Sequence, residues 1–274
     1  MTRPFGVIFI VLWTLIPIYW TINSSLQTDV QIRAKPSNYL PPTPSLENYA
    51  SLILGDGNPD LQESILRSTA NTVIESGTAT ILTVLFSTLA AYAFARMQFR
   101  GKNVLFYAVL FTMALPAYTT LIPLYQIMTS LGLVNTYTAI ILVYVSGFLP
   151  LATWIIYNYM SSLPISLEEA GQMDGASRMQ VLWRIVLPLL WPGLISTAII
   201  TFLFAWGQFL FPLVLSSDLS SQPLTVVIAS LQGRRVLPYT LLSAAGVYAM
   251  IVPALIALFL NRYIVNGLLT GSSK

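Results

Sequence analysis

The most organised polar residues of the sequence lie in one stretch, Ser166 to Pro188, where Glu168, Glu169, Asp174, Arg178 and Arg184 stand among turn-forming and apolar residues. Carboxylates beside arginines can serve acid–base chemistry, metal binding or docking. The chain has no His and no Cys, which excludes Cys/His zinc sites, haem ligation by either residue, disulfides, thiol nucleophiles and every triad with an imidazole base. No two carboxylates are placed to share a cavity, no base lies beside a nucleophile, and no metal set is apparent. A G-x-x-x-x-G-K-[ST] phosphate loop is also missing, so nucleotide hydrolysis by that route is excluded.

What remains for this stretch is non-covalent docking, and its spacing gives the docking element a shape. Ser166 with Glu169, and Ser177 with Gln180, read as two capping boxes, each opening a helix. Asp174-Gly175 between them supplies a tight turn, because Gly accepts positive φ at no steric cost. Leu167, Ala170 and Met173 recur every third residue along one side of the first helix, with Glu168 and Gln172 away from them. A short amphipathic helix of this kind needs a partner.

The elements that must carry this loop follow from composition. The chain has 274 residues, 55% hydrophobic and 8% charged, with a mean hydropathy of +0.73, whereas soluble domains carry about 25% charged residues. A helical span needs roughly 20 apolar residues. Charge-free runs place spans at 5–25, 71–95, 103–127, 138–160, 189–214 and 241–262, the third and fourth separated by the turn-prone segment Gly132 to Thr136. The first span is longer than a signal-peptide core and lacks an A-x-A-like site, so it is expected to stay. Arg3, Arg96, Arg100, Lys102, Arg178, Arg184, Arg262 and Lys274 fall on one side, against Arg33, Lys35, Arg67, Arg234 and Arg235 on the other. The positive-inside rule then sets both termini and the loop at 161–188 in the cytoplasm, and the loop at 27–70 outside. Glu75, Arg96, Arg100 and Lys102 read as boundary charges. A net charge of +3 without a basic cluster excludes a nucleic-acid surface. The expected fold is an all-α membrane protein of one transmembrane domain, 1–274.

Glu169-Ala170-Gly171-x-x-Asp174-Gly175-Ala176, followed by Ile185-x-Leu187-Pro188-x-x-x-Pro192, resembles the EAA loop of permease subunits of binding-protein-dependent ABC importers. Gly171 stands where that family usually has Ala. Pro44-Ser-Leu-Glu-Asn48-Tyr49, Ala90-Ala-Tyr92-Ala-Phe94-Ala-Arg96 with Phe99-Arg-Gly101-Lys102, and Asn261-Arg262-Tyr-Ile-Val-x-Gly267-Leu-x-x-Gly271 resemble the carbohydrate-importing, MalG-like members. The resemblance implies a type I importer permease (MetI-like) fold in a bacterial inner membrane. It makes Leu167, Glu168, Glu169, Ala170, Gly171, Met173, Asp174, Gly175 and Ala176 the coupling segment. It also implies a second permease chain, two copies of a cytoplasmic ABC ATPase that carry ATP and Mg, and an external solute-binding protein. The chain itself is expected to bind no cofactor. The tail from Asn266 to Lys274 either frays or reaches the ATPase.

Prolines within the spans and interspersed Tyr, Thr, Trp and Gln independently suit a pathway for an uncharged polyhydroxy solute, with Tyr118, Thr119, Tyr144, Trp206 and Gln208 as its candidate lining. In the subfamily Trp206 is commonly followed by Asn, and here by Gly207. Two other readings stay open: a stand-alone channel or secondary carrier, and an ABC importer of a non-sugar cargo. No chain of intramembrane acids supports proton coupling, because Glu75 is the only acid at a span.

Overall fold

A computed structural model describes residues 2–234 and 238–270. Among these the regular structure is helical, without strands: α1 (Thr2–Ser25), α2 (Asp29–Ile32), α3 (Glu47–Ile53), α4 (Pro59–Arg96), α5 (Lys102–Phe111), α6 (Ala117–Ser130), α7 (Tyr137–Ser162), α8 (Ser166–Met173), α9 (Arg178–Val181), α10 (Leu187–Trp206), α11 (Leu210–Leu215), α12 (Leu224–Arg234) and α13 (Tyr239–Thr270). A π-helical turn, Leu182–Val186, joins α9 to α10. Within the described residues five stretches are long and apolar enough to cross a membrane, and a sixth is present if α5 and α6 count as one broken span. The described chain forms two compact units, Met1–Asn71 with Gln222–Ala254, and Thr72–Ser221 with Leu255–Lys274.

In the first unit α1 exposes apolar side chains along most of its length, as a lipid-facing helix does, while its last turn is polar and buried at Asn23, Ser24 and Ser25. Asn48 donates to the carbonyls of Ser25 (3.0 Å) and Gln27 (3.1 Å), and the Tyr49 and Ser25 hydroxyls meet at 2.7 Å. The motif that ends in Asn48-Tyr49 is thus a clasp that satisfies the backbone where α1 stops. Thr28 and Gln31 form a capping box on α2. The expected loop at 27–70 is shorter and partly helical. Pro59 opens α4 with a preset φ, and Asp60, Glu63 and Arg67 ride on a helix that continues past the hydrocarbon.

In the second unit α7 is the hub. Ile156 and Met160 of α7 pack with Ala91 and Tyr92 of α4, with Val181 of α9, with Leu182 and Val186 of the π turn and with Leu190 of α10. Higher along the same helices Ile140 and Tyr144 meet Ala79 and Ala205. Both contact pairs advance in the same direction, so α4 and α7 run parallel. On α4 the hydroxyls of Ser76, Thr80, Ser87 and Thr88 each donate to the carbonyl four residues earlier.

Two spans differ from expectation. The run 103–127 is not one helix: Pro116 forces Leu115 into extended backbone (φ −71°, ψ 125°) and the two halves meet at 102°. The run 189–214 splits at Gly207, leaving α10 and the short α11. Asn135 in the α6–α7 turn has φ +65°, a conformation Asn tolerates better than most residues. Its side chain accepts from the amides of Ser217 (3.1 Å) and Asp218 (3.3 Å) and donates to the Asp218 carboxylate at 2.5 Å.

Candidate functional site

The segment between α7 and α10 folds as helix, turn, helix, but the first helix starts differently from expectation. Ser166 is not a cap: Ile165 precedes the helix without a side-chain cap bond, and the first amides donate back to Pro164 and Ile165 carbonyls. Pro164, with its fixed φ, begins the turn and draws Ser166 inside it. The second start is as read, with Ser177 and Gln180 exchanging hydrogen bonds of 2.8 and 3.3 Å. Gly175 sits at φ +87°; Ala176 N–H donates to the Gly171 carbonyl and Gly175 N–H to that of Gln172, each at 3.0 Å. That pair of bonds is a Schellman closure, and it satisfies carbonyls that a helix end otherwise leaves open.

The two faces of α8 are unlike. Leu167, Ala170 and Met173 are exposed, Met173 at 89%, together with Glu169 and Gln172. Glu168 and Gly171 are buried. Glu168, grouped above with the docking residues, turns inward and holds the helix instead of being presented by it. Its carboxylate accepts from Arg96 Nε at 2.5 Å, with side-chain exposures of 9% for Arg96 and 7% for Glu168. The same guanidinium donates to the carbonyls of Met160 (2.8 Å) and Leu163 (3.0 Å). Arg96 is therefore not the simple boundary charge expected. It is the last residue of α4, it caps the carbonyls at the end of α7, and its charge complements that helix terminus. Gly171 also has a positive role: a Cβ there would collide with Ile185 Cδ1 and touch Val181 Cγ2 at 3.4 Å. The Ala-to-Gly departure lets α8 lie directly on the π turn.

The candidate pathway residues separate. Tyr144 is buried, its ring 5.9 Å from Phe148, in the cluster that includes Ala205. Trp206, the residue after Ala205, is buried with its ring 5.7 Å from Phe202, and Gln208 is half-buried in the break before α11. Tyr118 and Thr119 are exposed at the α5–α6 bend, where the Thr119 hydroxyl donates to the Pro116 carbonyl. Glu75, read from the sequence as a boundary charge, is instead buried. It is 1% exposed on α4, one turn before Ala79, and neither carboxylate oxygen nor the Tyr144 hydroxyl makes a hydrogen bond among the described residues. An acid inside an apolar run was the available signal. No cluster of potential metal ligands occurs among the described residues. Arg262 and Asn266 to Thr270 have no described side chains, and Gly271 to Lys274 lie outside the described residues.

Residues 57–269 match the family model described as binding-protein-dependent transport system inner membrane component. The chain is 32% identical over 260 residues to the sulfoquinovosyl glycerol transport system permease protein SmoH of Agrobacterium fabrum, covering 95% of this chain and 89% of that protein. It is 35% identical over 270 residues to the trehalose/maltose transport system permease protein MalG of Thermococcus litoralis, covering 98% and 95%. In fold it is similar to a chain of a bacterial ABC transporter that imports the acidic polysaccharide alginate, with a TM-score of 0.79, 24% identity and coverage of 95% and 96%.

Proposed function

The chain belongs to the binding-protein-dependent transport system inner-membrane components, a family of transport subunits and not of enzymes, and we propose that it forms half of the translocation pathway for a sugar in an ATP-driven importer. The observation that carries the reading is α8, an exposed apolar face on a helix whose opposite face is fixed by Arg96 and by the π turn. Apolar side chains left in water on a rigidly held helix mark a docking surface. The proposed occupant is a cleft in a cytoplasmic ABC ATPase, two copies of which bind this chain and a second, similar permease chain. ATP and Mg reside on the ATPase, and an external binding protein delivers the solute.

In this reading residues 1–274 act as one transmembrane domain with both termini in the cytoplasm. Leu167, Glu169, Ala170 and Met173 make the contact, and Asp174, Gly175 and Ala176 close the helix so that it moves as a unit. Closure of the ATPases displaces α8 and shifts the permease between inward and outward conformations, which requires the ATPase to bind one conformation better than the other. Tyr144, Trp206 and Gln208 are the proposed lining of the solute path in the second unit, and Tyr118 and Thr119 its lining at the broken span. The sugar assignment is supported by the two relatives, both named as permeases for glycosides or disaccharides.

Co-purification in mild detergent tests the docking. The wild-type chain should bring down an ATPase and a second permease. Glu169→Lys and Gly175→Pro should insert normally and lose ATP-dependent uptake. Normal uptake by both variants would refute the coupling assignment.

A further inference from the structure

We propose that Arg96 is a positioning residue that transmits displacement of α8 to the ends of α4 and α7; this rests on the docking reading above. The geometry is a three-way junction. One guanidinium at the end of α4 holds the Glu168 carboxylate at 2.5 Å and the Met160 and Leu163 carbonyls at 2.8 and 3.0 Å. The partners are 72, 64 and 67 residues distant in the chain, so the junction ties elements that the backbone leaves separate. Arg suits it because the planar guanidinium fixes several donors at once, whereas an ammonium is a single point charge on a flexible stem.

Burial makes the junction stiff. With both side chains under a tenth exposed, salt and water screen the pair weakly, and removing one partner leaves the other charged group buried and alone. A pull on the outer face of α8 therefore either drags Arg96, and with it the α4 and α7 ends, or breaks a buried ion pair. The other inward contact of α8, Gly171 on Ile185, is apolar and leads to the π turn and α10. The two contacts thus divide the output of one helix: charge towards α4 and α7, packing towards α10.

The test uses the assembled importer in lipid nanodiscs, with spin labels at Met97→Cys and Ser166→Cys, both exposed positions in a chain with no native Cys. Distances between the labels are measured without nucleotide and after trapping with ATP and vanadate. With Arg96 present the α4–α8 distance should be the same in both states. In R96M it should change on trapping, and ATP hydrolysis stimulated by the binding protein should fall on the order of tenfold while the ATPase stays bound. The conservative R96K, which keeps the charge with fewer fixed donors, should retain part of that stimulation. An unchanged distance and unchanged stimulation in R96M would overturn the proposal. If R96M is not recovered from the membrane, E168Q is read by the same criteria, since it leaves Arg96 on the two carbonyls. Failure of the unsubstituted chain to retain an ATPase would instead overturn the docking reading, so the two failures are distinguishable.

Discussion

Substituting Gly171 separates two effects that act in opposite directions at one position. Replacing Gly by Ala inside a helix is worth about 1 kcal/mol in favour of Ala. In this fold the new methyl would overlap Ile185 Cδ1, with Val181 Cγ2 at 3.4 Å and Ile185 Cγ1 at 3.9 Å. Cδ1 is the end of a flexible side chain, so Ile185 can turn away, at about 0.5–1.5 kcal/mol for an off-rotamer χ angle. Gly171→Ala alone should therefore change stability by less than about 1 kcal/mol. Ile185→Val alone removes Cδ1 and should destabilise by about 0.5–1.5 kcal/mol. Together they fit, because the deleted methyl is the one that collides, and the cycle should show a favourable coupling of about 0.5–1.5 kcal/mol. Gly171→Val brings two methyl groups into the same space and should destabilise by about 1–3 kcal/mol. Reversible unfolding in mixed micelles, followed by fluorescence of the Trp residues, measures all four variants. Additivity of the two single substitutions within about 0.5 kcal/mol would refute the contact between α8 and the π turn.

Other outcomes follow from the same packing. Glu75→Met should raise the unfolding free energy by about 1–3 kcal/mol, because it removes a buried carboxyl group that makes no hydrogen bond among the described residues; a lower midpoint would mean that the carboxyl group has a stabilising partner. Asn135→Ala should destabilise by about 2–4 kcal/mol, since it loses both the bonds to Ser217 and Asp218 and the residue type tolerated at φ +65°. Asn135→Gly, which keeps the backbone conformation, should recover part of that loss. Ser177→Ala should cost about 1 kcal/mol through the lost cap of α9, visible as faster amide exchange over Arg178 to Val181 and absent elsewhere.

What could be read from the sequence was local. Gly175, and Ser177 with Gln180, form turn and cap geometry with residues a few positions away, so type and spacing settled them. The start of α8 was misplaced because two local signals competed: Pro164 fixes the backbone before the Ser166 hydroxyl can cap it. Pro116 was visible as a break, but the 102° angle depends on what the two halves pack against. Arg96 and Glu168 each look like an ordinary charge at a membrane edge. Their pairing needs α4 and α7 to run parallel and end together, which no window of sequence contains. Gly171 showed only its helix penalty, since the reason for it, Ile185, sits on a later element. Glu75 was discounted as a boundary charge because charge-free runs locate hydrocarbon and say little about which face of a long helix an acid occupies.

The self-bonded hydroxyls of α4 bear on how easily this protein can move. A polar group that bridges two helices must be broken whenever those helices slide, and such bridges within membranes average about 0.6 kcal/mol each. Ser76, Thr80, Ser87 and Thr88 instead return their protons to their own helix, so those bonds travel with α4 whatever it rubs against. Along this seam friction comes from shape alone. From Ser76 to Thr88 the helix can change its neighbours without breaking these bonds, and the Arg96 junction at its end is the polar tie that remains.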